Sequence, residues 1–241
     1  MRRELARVLS KAGLCSRTVA AEWIRAGRVR VDGALVRDPT ARVAPGRSSV
    51  MLDGRRISAA QRTYWALHKP RGYVTTRQDP AGRATVYDLL EDLGEWVVPV
   101  GRLDRDTSGL LLLTNDTQFA ELLTNPDSHV EKTYRVTVKP RLAEAALERL
   151  RSGVVLKDGP TRPAIVKKIG DRGPCTVLEI TITEGRNRQV RRMIVEVGGK
   201  VLKLARISIG AVGLGDLAAG KVRRLSPAEV RALARPRSAK R

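Results

Sequence analysis

Aromatic residues make up only 3% of this 241-residue chain: three Trp, four Tyr and one Phe. A surface that holds single strands by stacking base after base on rings needs more than that. Cysteine is nearly absent too. Cys15 and Cys175 stand far apart, neither in a CxxC pair, and read as buried thiols in a reducing cytoplasm rather than as a disulfide framework. With only His68 and His129 to join them, there is too little to build a zinc site, and no metal is expected. No apolar run approaches the ~20 residues of a membrane span. The first residues, MRRELARVLSKAG, lack the apolar core and small-residue cleavage site of a secretory signal. A cytoplasmic protein without a membrane partner is therefore expected. Acids are scarce: 25 Asp+Glu face 46 Lys+Arg, a net charge of +21. A surface so charged repels itself until phosphates neutralise it, so the expected partner is a polyanion, RNA or DNA gripped by backbone and shape.

The basic residues are unevenly placed. Residues 1–62 hold 14 Lys+Arg and 5 Asp+Glu, a balance of +9 in a quarter of the chain. Leu5, Val8, Leu9 and Ala12 recur at helical spacing before Gly13, and Ser16 is placed to cap a second helix carrying Val19, Ala20, Trp23 and Ile24. VRVDGALV reads as a hairpin around Asp32-Gly33, and Asp53-Gly54 offers a second tight turn. SAAQRT (58–63) reads as a linker. Beyond it, TYWALHKPRGYVTT is a strand stopped at Lys69-Pro70, and LLLLT is a buried strand followed by a helix over Phe119, Leu122 and Leu123. TYRVTVK and TVLEITIT alternate, so Tyr134, Val136 and Val138 share one face and Leu178, Ile180 and Ile182 another. Strands without regular βαβ alternation predict an α+β domain with a mixed, largely antiparallel sheet. Ser226-Pro227-Ala228-Glu229 is a capping box. The expected division is 1–60, 63–235 and a basic tail at 236–241.

One stretch demands a choice. GRLDRDTSGLLLLTND (101–116) sets Asp104 and Asp106 directly before an unbroken apolar run. As a calcium loop it fails, because Asn115 stands where a bidentate Glu is required and a strand follows instead of a helix. A tight turn accounts for Asp106 and Gly109, but leaves Gly101, Arg102 and Asp104 unexplained. A single reactive carboxylate at Asp104 is the other reading, and spacing alone does not separate the two.

The order of motifs does. GRLDRDTSGLLLLTND, LHKPRGYVTT, EKTYRV and EGRNRQVRRM resemble, in sequence, the pseudouridine synthases that act on ribosomal RNA. GLCSRTVAAEWIRAGRVRVDG resembles the S-four-type (αL) RNA-binding module that members of that branch carry at the N-terminus. The resemblance covers nearly the whole chain. It implies that Asp104 is the catalytic acid, that Tyr134 packs on the target uracil, that Arg191 pairs with the catalytic carboxylate, and that Arg102 takes the place of the extruded base. It also implies no cofactor. Two positions depart from the branch: Ser108 where many relatives have Glu, and Ile194 where an aromatic is common. GRNRQVRRM, with Arg188, is more similar to members acting on large-subunit than on small-subunit rRNA.

The residues fit that chemistry. A nucleophilic carboxylate must stay ionised while shielded from water, and a neighbouring cation favours that state. In RQVRRMIVEVGG, Val190, Met193, Ile194 and Val197 form one apolar stripe. Arg191 lies on its edge and can reach inward to a carboxylate, whereas Arg192 points away. Lys11, Arg17, Arg25, Arg28 and Arg30 in the first module, and Arg186, Arg188 and Arg192 in the second, are expected to contact phosphate. A monomer acting on rRNA, free or within a pre-ribosomal particle, is expected; the rival readings are a small-subunit enzyme, a non-catalytic assembly factor and, more remotely, a DNA-binding protein.

Overall fold

The computed structural model describes residues 2–58 and 61–235. The basic tail (236–241) and two positions of the 58–63 linker lie outside them. The chain divides into two compact units: residues up to Thr63 with 94–98 and 114–117, and a larger one of 64–93, 99–113 and 118 onward.

In the first unit, α1 (Leu5–Lys11) and α2 (Arg17–Arg25) form where the apolar spacing places them. The Ser16 hydroxyl accepts from the Val19 amide at 3.1 Å, satisfying one of the free donors at the start of α2. Strands β1 (Val29–Val31), β2 (Ala34–Val36), β3 (Val50–Leu52) and β4 (Arg55–Arg56) make a four-stranded antiparallel sheet in the order β2-β1-β3-β4. Both hairpins turn on an Asp-Gly pair with positive φ at each residue, +49° and +86° at Asp32-Gly33 and +49° and +76° at Asp53-Gly54. That geometry matches the twist of the flanking strands. Leu5, Leu9, Ala20, Ile24, Val29 and Val50 are buried together. Residues 61–63 are tied down rather than free: the Thr63 amide donates to Asn115 Oδ1 (3.0 Å), and Asn115 Nδ2 donates to the Gln61 carbonyl (2.9 Å).

The second unit is built on a mixed sheet. Its main strands are β5 (Tyr64–Lys69), β6 (Ser108–Thr114), β7 (Lys132–Lys139), β8 (Ile165–Arg172), β9 (Cys175–Ile182), β10 (Lys200–Ile209), β11 (Val212–Gly213) and β12 (Val222–Arg224). Seven run in the order β8-β9-β7-β10-β6-β5-β12, with β11 beside β10. The β8-β9, β9-β7, β7-β10 and β5-β12 pairs are antiparallel, while β10-β6 is parallel. Helices α3 (Thr117–Thr124), α4 (Glu144–Ser152), α5 (Gln189–Glu196) and α6 (Pro227–Ala234) complete it, the last opened by the expected Ser226/Glu229 capping box.

Leu110 to Leu113 are all buried, which is why β6 reads as an apolar run rather than an alternation: it is covered on both faces. Leu110 and Leu112 pack with Phe119, Leu123 and Ile209. A second core joins Val136 and Val138 of β7, Leu178, Ile180 and Ile182 of β9, and Val190, Met193 and Ile194 of α5. Of the two thiols expected to be buried, Cys15 is buried and Cys175 only partly so. Gly109 belongs to β6 and not to a turn. It pairs with Arg206 of β10, and a Cβ there would fall within 2.9 Å of three Arg206 backbone atoms, at a φ of +107°.

Candidate active site

The loop 100–107 runs into β6 at one end of the sheet, and its backbone is fastened at several points. The Thr107 amide donates to the Asp104 carbonyl (3.1 Å), closing a turn. Thr75 Oγ1 donates to the Leu103 carbonyl at 2.8 Å, and the Gly72 amide donates to the Arg105 carbonyl at 2.8 Å. Beneath lies Lys69, the last residue of β5 and 0% exposed. Its ammonium donates to the carbonyls of Pro70 (3.0 Å), Asp104 (3.1 Å) and Thr107 (2.8 Å). Burial pulls Lys69 down to about 8, against the opposing pull of Asp104 and Asp106.

The loop presents two carboxylates with different partners. Asp106 is gripped by two guanidinium groups: Arg191 Nη2 lies 3.0 Å from Oδ2, and Arg188 reaches both oxygens at 3.3 and 3.5 Å. Burial alone would raise the Asp106 carboxyl, but the Arg188 hydrogen bond and the charges of Arg191 and Arg188 outweigh it and hold it below its ordinary value. Arg191 Nη2 also donates to the Asp106 carbonyl (3.0 Å) and Thr107 Oγ1 (3.3 Å). Among the described residues Asp104 has a single ion pair, Oδ2 to Arg188 Nη1 at 3.4 Å, and its side chain is 31% exposed. Arg191 does reach inward from the edge of the α5 stripe, as its spacing predicts. The carboxylate it meets is Asp106, and the cation beside Asp104 is Arg188.

Arg188 owes its place to its backbone. It is the N-cap of α5 in the left-handed region, φ +48°, a conformation uncommon outside glycine. The preceding loop is pinned by buried Glu184, which accepts from Gln189 Nε2 (2.5 Å), Arg186 Nε (3.2 Å) and the Arg162 amide (3.1 Å). Arg186 is further committed to the carbonyls of Gly159 (2.9 Å) and Pro160 (2.5 Å). Arg192 grips both oxygens of Asp158 at 2.8 and 3.0 Å. These two nominated phosphate contacts brace the protein itself.

A cavity of about 730 Å³ opens beside the loop, lined by Asp104, Tyr134, Arg102, Arg188, Lys132 and Arg206 among others. That size suits a nucleoside. Tyr134 is half-buried against the core of β7, β9 and α5 while also lining the cavity. Arg102 is exposed at the cavity. Lys132 and Arg206, buried at 9% and 4% exposure, went unnoticed in the sequence. Their signal was there: Lys132 sits two residues before Tyr134, on the inward face of an alternating strand, and Arg206 two residues after Leu204.

A family model described as RNA pseudouridylate synthase matches residues 63–196. The chain belongs to this family. An S4 domain model matches residues 3–47, the module expected from the first helices and hairpins. Among pseudouridine synthases, the chain is 38% identical to ribosomal large subunit pseudouridine synthase B of Bacillus subtilis, over 95% of this chain and 94% of that one. It is 42% identical to an RNA pseudouridine synthase of Mycobacterium leprae, over 95% and 91%. A solved structure of a pseudouridylate synthase superposes with a TM-score of 0.70 at 30% identity, covering 96% of this chain and 99% of that one. The other basic residues expected to meet the RNA of a pseudouridine synthase lie in the S4 unit. Arg28 is held by Asp53, Nη2 to Oδ2 at 2.5 Å, and stacks on the Trp23 ring at 5.1 Å. Arg17 pairs with Glu4 at 3.4 Å, and Arg30 donates to the Gly33 carbonyl at 3.0 Å. Lys11 and Arg25 are exposed, with no ion pair among the described residues. Among the described residues no helix is long and apolar enough to cross a membrane.

Proposed function

We propose that this pseudouridine synthase isomerises a uridine of large-subunit ribosomal RNA, with Asp104 as the catalytic carboxylate and the target nucleotide extruded from its helix. The observation that carries this reading is the asymmetry of the two acids. Both acids line the nucleoside-sized cavity, but Asp106 is held by both Arg188 and Arg191, whereas Asp104 has one ion pair among the described residues. The reaction breaks the bond from sugar to base nitrogen, turns the base and rejoins it through carbon. Whether the carboxylate attacks the sugar, attacks the ring or first removes a proton, it must be ionised to act.

A stacked uridine cannot present its sugar carbon to Asp104, so the nucleotide has to be turned out, at a cost of a few kcal/mol. Arg102, exposed at the cavity, is suited to fill the vacated place in the RNA, and Tyr134 to pack on the incoming base. The large-subunit assignment rests on the similarity of the GRNRQVRRM motif and on the name of the Bacillus subtilis relative.

Mapping pseudouridine across the rRNA of cells that lack the protein tests the substrate. One large-subunit position should lose its modification; a lost small-subunit position would overturn the assignment. Complementing those cells with Asp104→Asn tests the chemistry. The variant should bind rRNA within about twofold of wild type while forming no measurable product, a loss of at least about 10⁴-fold for a nucleophile. Full restoration of the modified position by the variant would remove Asp104 from the chemistry and favour another group.

A further inference from the structure

Lys132 and Arg206 sit deep in the cavity, and neither has an acidic partner. The β7-β10 register places Arg206 opposite Tyr134, and Lys132 lies two residues along the same face of β7. Arg206 Nε donates to the Leu110 carbonyl at 2.8 Å, but its buried Nη2 has no hydrogen-bond partner. No ion pair to either residue occurs among the described residues. Two neighbouring buried cations without a counter-charge are costly to keep. Burial, with Arg206 adding to it, brings Lys132 down to about 8. The same cavity lining holds Asp104 and Tyr134. A like-charged pair in that place, one member with an unsatisfied buried donor, is what a site keeps when its ligand brings the missing negative charge.

We infer that Lys132 and Arg206 are further catalytic residues, a cationic floor that takes the negative charge of the uracil when its bond to the sugar breaks. This rests on the proposed uridine isomerisation. As the C1′–N1 bond breaks, its electron pair stays with the ring and spreads to the carbonyl oxygens O2 and O4. C5 of the turned ring then forms a bond to C1′. The C5 proton leaves to water, N1 takes one up, and whatever bond or proton Asp104 took in the first half is returned in the second. Nothing is oxidised, and substrate and product are isomers. A backbone phosphate is the less suitable occupant, because an extruded nucleotide enters base first and its phosphates stay toward the rim.

The test compares K132M with wild type on large-subunit rRNA transcribed with uridine or with 5-fluorouridine, whose fluorine lets the ring carry negative charge more easily. Single-turnover loss of the target nucleoside is followed by mass spectrometry at saturating enzyme. K132M should convert uridine about 100-fold more slowly, with RNA affinity within about twofold, and K132R should recover most of the rate. On 5-fluorouridine the deficit of K132M should shrink to about tenfold or less. The ratio of the two deficits does not depend on how much of the variant is folded. Equal deficits on both bases would overturn the inference, as would a loss of affinity with an unchanged saturated rate, the mark of a phosphate contact. A wild-type protein that converts no uridine refutes the proposed function itself; a K132M protein as fast as an active wild type refutes only the cationic floor.

Discussion

Asp104 and Asp106 are two residues apart on one loop, and their neighbours give them different work. Two guanidinium groups converge on Asp106 from the start of α5, so it acts as the post to which that helix is fastened. Among the described residues Asp104 pairs only with Arg188, through the same Nη1 that reaches Asp106. The consequence is measurable by pH. The folded Asp106 carboxyl lies below its unfolded value, so its stabilising contribution is fully present above the unfolded value of about 3.9 and disappears as pH falls through the folded one. Asp106→Asn should therefore be less stable than wild type by a constant margin from pH 7 to pH 5 in urea unfolding, and the margin should close only below about pH 4. A margin that closed near neutrality would mean that some other group carries the difference. Gly109 makes a second case at this scale. Its missing side chain lets the β10 backbone close against β6, so Gly109→Ala meets the Arg206 carbonyl and an unfavourable φ together. A loss of more than about 3 kcal/mol, or no soluble protein, is expected in thermal or denaturant unfolding.

Among the elements, most were legible because their signals are local. Alternation in TYRVTVK and TVLEITIT, the Asp-Gly turns, and the caps at Ser16 and Ser226 each specify a strand, hairpin or helix from a few adjacent residues. What holds the reactive loop was not legible, because the acceptors of Lys69 are backbone carbonyls at Asp104 and Thr107, more than thirty residues away and without side-chain identity. The choice between Asp104 and Asp106 as partner of Arg191 was hidden for a related reason. Both acids are within reach of α5, and the left-handed backbone at Arg188 that sorts the pairs leaves no mark in the composition. Lys69→Met tests the element directly, since it keeps the buried stem and removes three donors. The burial penalty of the ammonium is relieved at the same time as its hydrogen bonds are lost, so stability should change by less than about 1 kcal/mol. Loop 100–107 should nonetheless exchange its amide hydrogens faster, and the saturated rate should fall about tenfold. An unchanged rate would show that the Thr75 and Gly72 hydrogen bonds suffice to hold the loop.

The whole molecule carries +21, of which +9 belongs to residues 1–62 and +12 to the rest. Not all of that charge is available to RNA. Arg186 and Arg192 brace residues 158–160, Arg28 is clamped to Asp53, and Arg188 and Arg191 serve the two acids. Lys11, Arg25 and Arg102 are exposed without ion pairs among the described residues. Exposed cations such as these, and not the total, set the salt dependence of binding, because each phosphate they neutralise releases condensed counterions. With on the order of six phosphate contacts, affinity for rRNA should fall about a thousand-fold between 50 and 200 mM salt, while the rate at saturating RNA changes little. Replacing Lys11 and Arg25 together with Ala should lower the log–log slope by about two, and Arg192→Ala should leave it unchanged, read from filter binding across a salt series. If Arg192→Ala lowers the slope as much as an exposed residue does, its grip on Asp158 yields to phosphate when RNA binds. A slope near zero for the wild type would instead mean that shape and base contacts hold the RNA, and that the charge serves some other purpose.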